Sequence, residues 1–272
     1  MNGLFFPDLS SMYQINAQQQ AEYQQNGHIL LHNIVNPEEI EIYRHLIHNG
    51  VERFNTEFRD ISERDTYGKA FLQVMNLWEV DEDIKKFTFA KRFAQIAADL
   101  MGVEKVRLYH DQALFKEPGG GHTPWHQDQY YWPIDTNNTI TMWMPLVDIS
   151  EEMGMLTFAS GSQELGFLGN LAISDKSEDI LGNIVKEKGY PVTRAMSMKA
   201  GDATFHAGWT LHNAPGNNSS KMREVMTIIF VADGAKVTQP QNHHQEADRQ
   251  RWIQGLPVGS LVASELNPIL NG

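Results

Sequence analysis

The pattern of the sequence changes near residue 103, from helical spacing to a succession of extended segments. Before this point, residues 17–26, 36–54 and about 86–100 have the composition or apolar spacing of helices. After it, β-branched and apolar runs separated by turn residues predict strands at 106–116, 139–147, 154–159, 203–213 and 223–231. Helices followed by a run of strands favour an α+β fold, in which a helical layer covers a β-sandwich or barrel.

The triplet His126-Gln127-Asp128 is the strongest candidate for chemistry in the chain. In a strand, side chains at positions i and i+2 point to the same face, so His126 and Asp128 can reach one metal ion. His212 follows on the strand predicted at 203–213. Two histidines and one carboxylate in this order are the ligands of a mononuclear non-haem Fe(II) site, which leaves metal positions open. The spacing therefore predicts a metal site, and with it the catalytic residues, at His126, Asp128 and His212.

Arg223 comes eleven positions after His212, across a turn-rich stretch at 215–220. If a hairpin is centred on residues 217 and 218, His212 and Arg223 face each other, with their Cβ atoms roughly 5 Å apart. An arginine in that place can clamp the far carboxylate of a chelating acid with its bidentate fork. We therefore interpret Arg223 as an anchor for a dicarboxylate co-substrate.

His206 is the alternative to His212 as the third ligand. An H-x-D triplet alone is close to chance in a chain with eleven histidines, so the third ligand matters for the assignment. His206 lies six residues before His212 and shares its strand parity, but only His212 is followed by an arginine at the expected distance. We expect His212 to be the ligand and His206 to line the core or the pocket.

Composition excludes several classes of function. The net charge of −12 argues against non-specific binding to nucleic acid or to anionic membranes. The chain has no cysteine, which excludes disulfides, thiolate zinc sites and a cysteine nucleophile. No apolar run approaches the ~18 residues of a membrane helix, and no signal-peptide pattern is apparent. We therefore expect a cytoplasmic protein that acts on a small molecule.

We expect the chain to form one domain over residues 1–272, because no break in composition marks a linker. A helical part is predicted at about 14–102 and the β-core mainly at about 103–232. The last segment, 233–272, is polar and then rich in Pro, Gly and Ser, and we interpret it as a lid or a surface extension.

These motifs together resemble the phytanoyl-CoA dioxygenase family of Fe(II)- and 2-oxoglutarate-dependent oxygenases. The matching features are Trp125-His126-Gln127-Asp128, Trp143, Gly154-Met155-Leu156-Thr157, Ser160-Gly161-Ser162, Gly201-Asp202-Ala203, His212 and Arg223. The resemblance extends from about residue 28 to 231. It implies a double-stranded β-helix, the cupin-like jelly roll, with iron at one mouth of the barrel.

The resemblance also implies roles for individual residues. It assigns the iron ligands to His126, Asp128 and His212, and the anchor of the distal carboxylate of 2-oxoglutarate to Arg223. It places Trp143 and Gln112 near the co-substrate, and less firmly Gln73.

One position departs from the family pattern. Many members carry a serine two residues after the second histidine ligand, where it helps to bind the co-substrate. Ala214 occupies that position here, so another hydroxyl, for which Thr157 is a candidate, would have to replace it.

The sequence is thus interpreted as an Fe(II)- and 2-oxoglutarate-dependent dioxygenase that hydroxylates a small organic molecule and uses O₂. Release of succinate and CO₂ is what the resemblance implies. Asp128 occupies the place that a halogenase of this class leaves to chloride, which argues against halogenation. Desaturation, epoxidation and ring closure stay open. Two readings from other classes also remain: a non-catalytic jelly-roll binding protein, and a zinc hydrolase with the same ligands, which would need a general base near the metal.

Overall fold

The computed structural model describes residues 6–271, and antiparallel β-sheets form the centre of this part of the chain. The larger sheet has the order β1 (His28–Leu31), β10 (Ala203–Ala207), β5 (Thr139–Pro145), β12 (Val225–Ala232), β3 (Val106–Phe115) and β2 (Leu72–Met75). The smaller sheet has the order β4 (Thr123–His126), β11 (His212–Ala214), β7 (Thr157–Ala159) and β8 (Val192–Arg194). A short ladder pairs β6 (Ile149–Ser150) with β9 (Ser197–Met198). Residues 1–5 and 272, which the single-domain prediction includes, lie outside the described part.

The helices are α1 (Ala17–Asn26), α2 (Pro37–Phe54), α3 (Thr66–Ala70), α4 (Glu82–Thr88), α5 (Lys91–Met101), α6 (Asp175–Lys188) and α7 (His243–Trp252). Helices α1, α2, α4 and α5 contribute to the core on one face of the larger sheet, whereas α6 packs against β4 of the smaller sheet. The start of α2 was predicted from its sequence, and the Asn36 side chain indeed accepts hydrogen bonds from the first-turn amides of α2. Within residues 6–271, none of these helices has the length and apolar character that a membrane span requires.

The strands of the larger sheet alternate between two buried faces. In β5, Ile140, Met142 and Met144 pack into the core cluster beneath α2, α4 and α5. The residues between them, Thr141 and Trp143, point to the opposite face and line a cavity. Because successive side chains of a strand face opposite ways, one strand supplies both the core and the site.

The helix predicted at 86–100 is two helices in the structure, α4 and α5, so that prediction was wrong in its bounds. The hydroxyl of Thr88, at the end of α4, donates to the buried carboxylate of Asp111 on β3 at 2.7 Å. This tertiary hydrogen bond fixes the end of α4 against the sheet, which local spacing could not reveal.

The strand predicted at 203–213 is also divided. β10 belongs to the larger sheet and β11 to the smaller one, and residues 208–211 turn the chain between them. A Cβ atom on Gly208 would lie 2.3 Å from the Thr139 hydroxyl oxygen, so only glycine allows the turn to pass so close to β5. His206 and His212 therefore lie on different sheets.

Candidate active site

A cavity of about 240 Å³ lies between the two sheets. The larger sheet contributes Gln112, Thr141, Trp143, His206 and Thr227 to its wall, and the smaller sheet contributes Thr123, His126, His212 and Ala214. The ligand atoms of His126, Asp128 and His212 all lie within 4.8 Å of one another. The structure thus brings together the three residues that the sequence predicts as metal ligands.

The two histidines are oriented by the backbone. His126 ends β4 and His212 begins β11, and the two residues are direct cross-strand partners. Their Nδ1 atoms lie 2.7 Å and 2.9 Å from the carbonyl oxygens of Pro124 and Thr210. A carbonyl can only accept, so each Nδ1 carries the proton and each Nε2 presents its lone pair, as metal-binding histidines require.

Asp128 reaches the cluster from a 3-10 helix at Asp128–Tyr131 and not from a strand, so the strand-parity argument for this residue was wrong. Its Oδ1 lies 3.4 Å from His126 Nε2 and 3.5 Å from His212 Nε2. Its Oδ2 accepts a hydrogen bond from the Thr141 hydroxyl at 2.9 Å and lies 3.1 Å from His206 Nε2. Burial opposes ionisation, but the neighbouring imidazoles outweigh it and hold the pKa of Asp128 well below its usual range.

Arg223 lies just before β12 and forms a bridge with Lys116, not with His212. The predicted hairpin pairing is wrong, because β11 pairs with β4 and β7 while β12 joins the other sheet. The Arg223 side chain nevertheless lines the same cavity, with 2% of its surface exposed. The guanidinium carbon lies 5.4 Å from the Trp143 ring centre, which makes this a cation–π contact.

The Arg223 guanidinium has no counter-ion among residues 6–271. Its Nη1 donates to the Gly154 carbonyl at 2.6 Å, and its buried Nε finds no hydrogen-bond acceptor in the described chain. Burial lowers the pKa of Arg223 to about 9. Buried charges are normally paired, so a cation left without a partner on a cavity wall indicates a site for an anionic ligand.

Comparison with known proteins agrees with this geometry. The sequence profile of the family described as Phytanoyl-CoA dioxygenase (PhyH) matches residues 23–225, about three quarters of the chain. The chain belongs to the phytanoyl-CoA dioxygenase family.

Two curated relatives illustrate the relationship. A phytanoyl-CoA dioxygenase from Arabidopsis thaliana is 28% identical over 164 residues, which is 59% of this chain and 56% of that protein. A probable alpha-ketoglutarate-dependent hypophosphite dioxygenase from Stutzerimonas stutzeri is 22% identical over 228 residues, 80% of this chain and 79% of that protein. The matched region therefore spans little more than half of the Arabidopsis protein.

A solved structure confirms the predicted jelly-roll fold. The non-heme alpha ketoglutarate dependent carbocyclase SnoK from nogalamycin biosynthesis superimposes with a TM-score of 0.77 at 20% identity. The match covers 94% of this chain and 96% of that chain.

Gln112, which the family resemblance places near the co-substrate, lies on β3 and faces the cavity. Its Oε1 accepts a hydrogen bond from Gln73 Nε2 at 2.6 Å. Gln73 Oε1 in turn accepts from the Tyr67 hydroxyl at 3.0 Å. All three side chains line the cavity, so this chain of hydrogen bonds fixes the Gln112 amide in one orientation.

The serine that family members often carry after the second histidine is replaced by Ala214, and the structure distinguishes between two candidate hydroxyls, those of Thr157 and Thr123. Thr157 is occupied by Arg194, whose Nε donates to its hydroxyl, and it is not among the cavity-lining residues. Thr123 lies directly across from Ala214 on β4 and does line the cavity. Thr123 is therefore better placed than Thr157 to replace the missing hydroxyl.

The sequence analysis missed the contribution of α7 to the cavity. Asp248 and Trp252, one helical turn apart on α7, both face the interior of the cavity. The segment 233–271 is also packed against the sheet, since Ile269 bridges to Arg107 and Leu270 joins the main core. The four-residue spacing of Asp248 and Trp252 was the sequence signal that could have placed both side chains on one face of a helix. It was not used, because the surrounding residues are polar and contain no recognised motif.

Proposed function

We propose that this cavity is the active site of an Fe(II)- and 2-oxoglutarate-dependent dioxygenase, which hydroxylates a small organic molecule and releases succinate and CO₂. The observation that carries the proposal is the combination of the His-Asp-His cluster with the uncompensated Arg223 guanidinium in one cavity. The first supplies ligands for a metal with open positions, and the second supplies an anchor for an anion that reaches past the metal.

The residues present fit an iron site. Two imidazole nitrogens and one carboxylate oxygen converge, and no fourth residue among 6–271 joins this group, which matches the donor set of non-haem Fe(II) oxygenases. His126, Asp128 and His212 would hold the metal. With 2-oxoglutarate bound, the metal would supply O₂ activation coupled to oxidative decarboxylation of the keto acid.

The protein's own residues would bind and orient the co-substrate. Arg223 would pair with the distal carboxylate of 2-oxoglutarate, and Trp143 supports the guanidinium from one side. Gln112 and Thr123 line the cavity with polar groups that could hydrogen-bond the same molecule. The pairing would also remove the cost of a buried cation without a counter-ion.

We further infer that the chain acts as one oxygenase domain. In support, the N-terminal part supplies β1 and β2 to the edges of the larger sheet, and the C-terminal part supplies α7 to the cavity wall. The walls that exclude water from the site therefore come from all three parts of the predicted domain.

Succinate release tests the proposal. The purified protein, given Fe(II), 2-oxoglutarate and O₂, should convert the keto acid to succinate, slowly without a primary substrate. His126→Ala and His212→Ala should each abolish this, because each removes a metal ligand. His45→Ala, which changes an exposed histidine on α2, is the matched control and should retain full activity.

Two results would contradict the proposal. Succinate release that is unaffected by loss of His126 or His212 would remove the metal site from the reaction. Hydrolytic activity that depends on Zn(II) and ignores 2-oxoglutarate would favour the zinc hydrolase.

A further inference from the structure

The charged groups on the cavity wall are not all accounted for by iron and 2-oxoglutarate. In the proposed function, Asp128 is a metal ligand and Arg223 pairs with the distal carboxylate of 2-oxoglutarate. Asp248, on α7, is a third ionisable side chain that lines the cavity, and the proposed reaction assigns it nothing. Its role therefore depends on what else the cavity binds.

Asp248 has no cationic partner among residues 6–271. No basic side chain among the described residues lies within salt-bridge distance of its carboxylate. The neighbouring arginines of α7 pair elsewhere, Arg249 with Glu246 and Arg251 with Glu79. The contact that Asp248 does make is a hydrogen bond accepted from the hydroxyl of the buried Tyr109.

Burial raises the pKa of Asp248 to about 8, so ionising it without a partner is costly. His110 is a basic side chain on the same cavity wall, and its ring centre lies 5.2 Å from that of Trp252. Burial lowers the pKa of His110 to about 3, so this imidazole is neutral and does not compensate Asp248.

Aromatic rings surround the same part of the cavity. Trp252 lies one helical turn from Asp248 on α7, and the ring centre of Trp132 lies 5.3 Å from that of Tyr109, the hydrogen-bond partner of Asp248. Both tryptophans line the cavity, and the His110 ring centre lies 5.2 Å from that of Trp252 and 6.5 Å from that of Trp132. The electron-rich faces of tryptophan and tyrosine attract cations such as substituted ammonium groups. A carboxyl group with no cationic partner among the described residues, next to two tryptophan rings, is a combination that favours a positively charged ligand.

We propose that the primary substrate of this cavity carries a cationic amine, which pairs with the carboxylate of Asp248 beside the rings of Trp132 and Trp252. This inference rests on the proposed function, because it takes the other end of the cavity to hold iron and 2-oxoglutarate. The charges then balance: Asp128 with the metal, Arg223 with the co-substrate, and Asp248 with the substrate. The cavity of about 240 Å³ restricts that substrate to a small molecule.

A purely structural role for Asp248 is the competing explanation. The Tyr109–Asp248 hydrogen bond joins α7 to β3 of the larger sheet, and it could serve only to hold the helix in place. An amide in place of the carboxylate keeps an acceptor for the Tyr109 hydroxyl but loses the charge. Asp248→Asn therefore separates the two roles, and Tyr109→Phe provides the reverse case, in which the hydrogen bond is lost and the carboxylate kept.

The experiment compares matched cationic and neutral probes. Benzylamine, benzyltrimethylammonium and benzyl alcohol are titrated anaerobically into protein loaded with Fe(II) and 2-oxoglutarate, with tryptophan fluorescence and calorimetry as readouts. Both cations should bind the unmodified protein at least about tenfold more tightly than the alcohol, a difference of about 1.4 kcal/mol. Asp248→Asn should erase this preference and Tyr109→Phe should keep it. Glu246→Gln, which changes an exposed carboxylate on the same helix, is the control and should also keep it.

Equal binding of cations and alcohol, no binding of either cation, or a preference that survives Asp248→Asn would overturn the inference. A preference lost in Tyr109→Phe but kept in Asp248→Asn would do the same and support the structural role. The titrations are repeated on metal-free protein, where the preference should persist because Asp248 lies outside the ligand set. Failure of the proposed function would show separately, as no binding of 2-oxoglutarate before any probe is added.

Discussion

Each of the three metal-facing side chains is held by a second group, and these groups differ in kind. His126 and His212 donate from Nδ1 to backbone carbonyls, which substitution cannot remove. Asp128 is held by side chains, the Thr141 hydroxyl and the His206 imidazole, both at its Oδ2. Its Oδ1 is thereby directed toward the two histidines. Because Asp128 is held by side chains, substitution of Thr141 or His206 can test whether its orientation matters for metal binding.

Thr141→Val should weaken Fe(II) binding by about 10- to 100-fold, the usual effect of losing a group that orients a ligand. Valine keeps the shape of threonine but removes the hydrogen bond to Asp128 Oδ2. Anaerobic Fe(II) titration followed by protein fluorescence measures the change.

Thr139→Val is the matched control for this experiment. Thr139 lies two residues earlier on β5 and its hydroxyl donates to Gln129, not to Asp128. Its substitution should leave iron affinity unchanged. Equal loss of affinity in the two variants would show that the strand, and not the support of Asp128, is responsible.

At the residue scale, residue type, order and spacing were enough to predict that His126, Asp128 and His212 lie together, as they do in the structure. The choice of His212 over His206 as the third ligand stays a prediction, and the hairpin used to explain the Arg223 offset does not exist. The contact between His206 and Asp128 could not be predicted, because it depends on β10 and β11 lying on different sheets. Asp248 was missed because its partner Tyr109 is 139 residues away.

At the scale of secondary-structure elements, α7 connects the end of the chain to the cavity. Asp248 is one of the residues through which it does so. The folded protein retains a proton on this carboxyl up to a pKa of about 8, whereas the unfolded chain loses it near pH 4. Between these values the folded state binds more protons, so this group makes stability fall as pH rises.

Asp248→Asn should remove the part of the pH-dependent loss of stability that is due to the Asp248 carboxyl. The free energy of unfolding of the variant, minus that of the unmodified protein, should increase steadily from pH 5 to pH 8 and level off above. Neither neighbour interferes in this range, since Tyr109 has its pKa raised well above 10 and His110 is neutral throughout. Urea denaturation at several pH values measures the difference.

Glu246→Gln serves as the control on the same helix. Hydrogen bonds from Arg249 and Gln250 lower the pKa of Glu246 to about 2, so this carboxylate is ionised in both states across the range. Its difference curve should be flat. If the difference curve for Asp248→Asn is also flat, the pKa of the Asp248 carboxyl is not raised in the folded protein.

The elements themselves were only partly predictable. The segments that form β3, β5 and β12 were recognised because each has a long apolar or β-branched run. Which sheet a strand joins is not encoded in its own pattern: β10 and β11 look continuous in sequence and separate only because Gly208 lets the chain turn beside β5.

At the scale of the whole molecule, the two sheets enclose a cavity whose lining includes the ionisable side chains of Asp128, Arg223 and Asp248. Helices α2, α4 and α5 bury the outer face of the larger sheet, which leaves its inner face free for polar and aromatic site residues. The buried guanidinium of Arg223, which has no counter-ion among residues 6–271, indicates a binding site for an anionic ligand. The central claim is that this ligand is the distal carboxylate of 2-oxoglutarate.

Anaerobic spectroscopy of the iron-loaded protein tests that claim most directly. Addition of 2-oxoglutarate should produce a visible charge-transfer band that Zn(II) does not give. Arg223→Ala should bind Fe(II) normally but require about 100- to 1000-fold more 2-oxoglutarate, as expected for loss of one partner of a buried charge pair. Arg223→Lys should recover the band in part, because lysine restores the charge without the fork. Pyruvate lacks the distal carboxylate, so its affinity relative to that of 2-oxoglutarate should be higher in the alanine variant than in the unmodified protein. A band that forms at the same 2-oxoglutarate concentration in folded Arg223→Ala as in the unmodified protein would contradict the account.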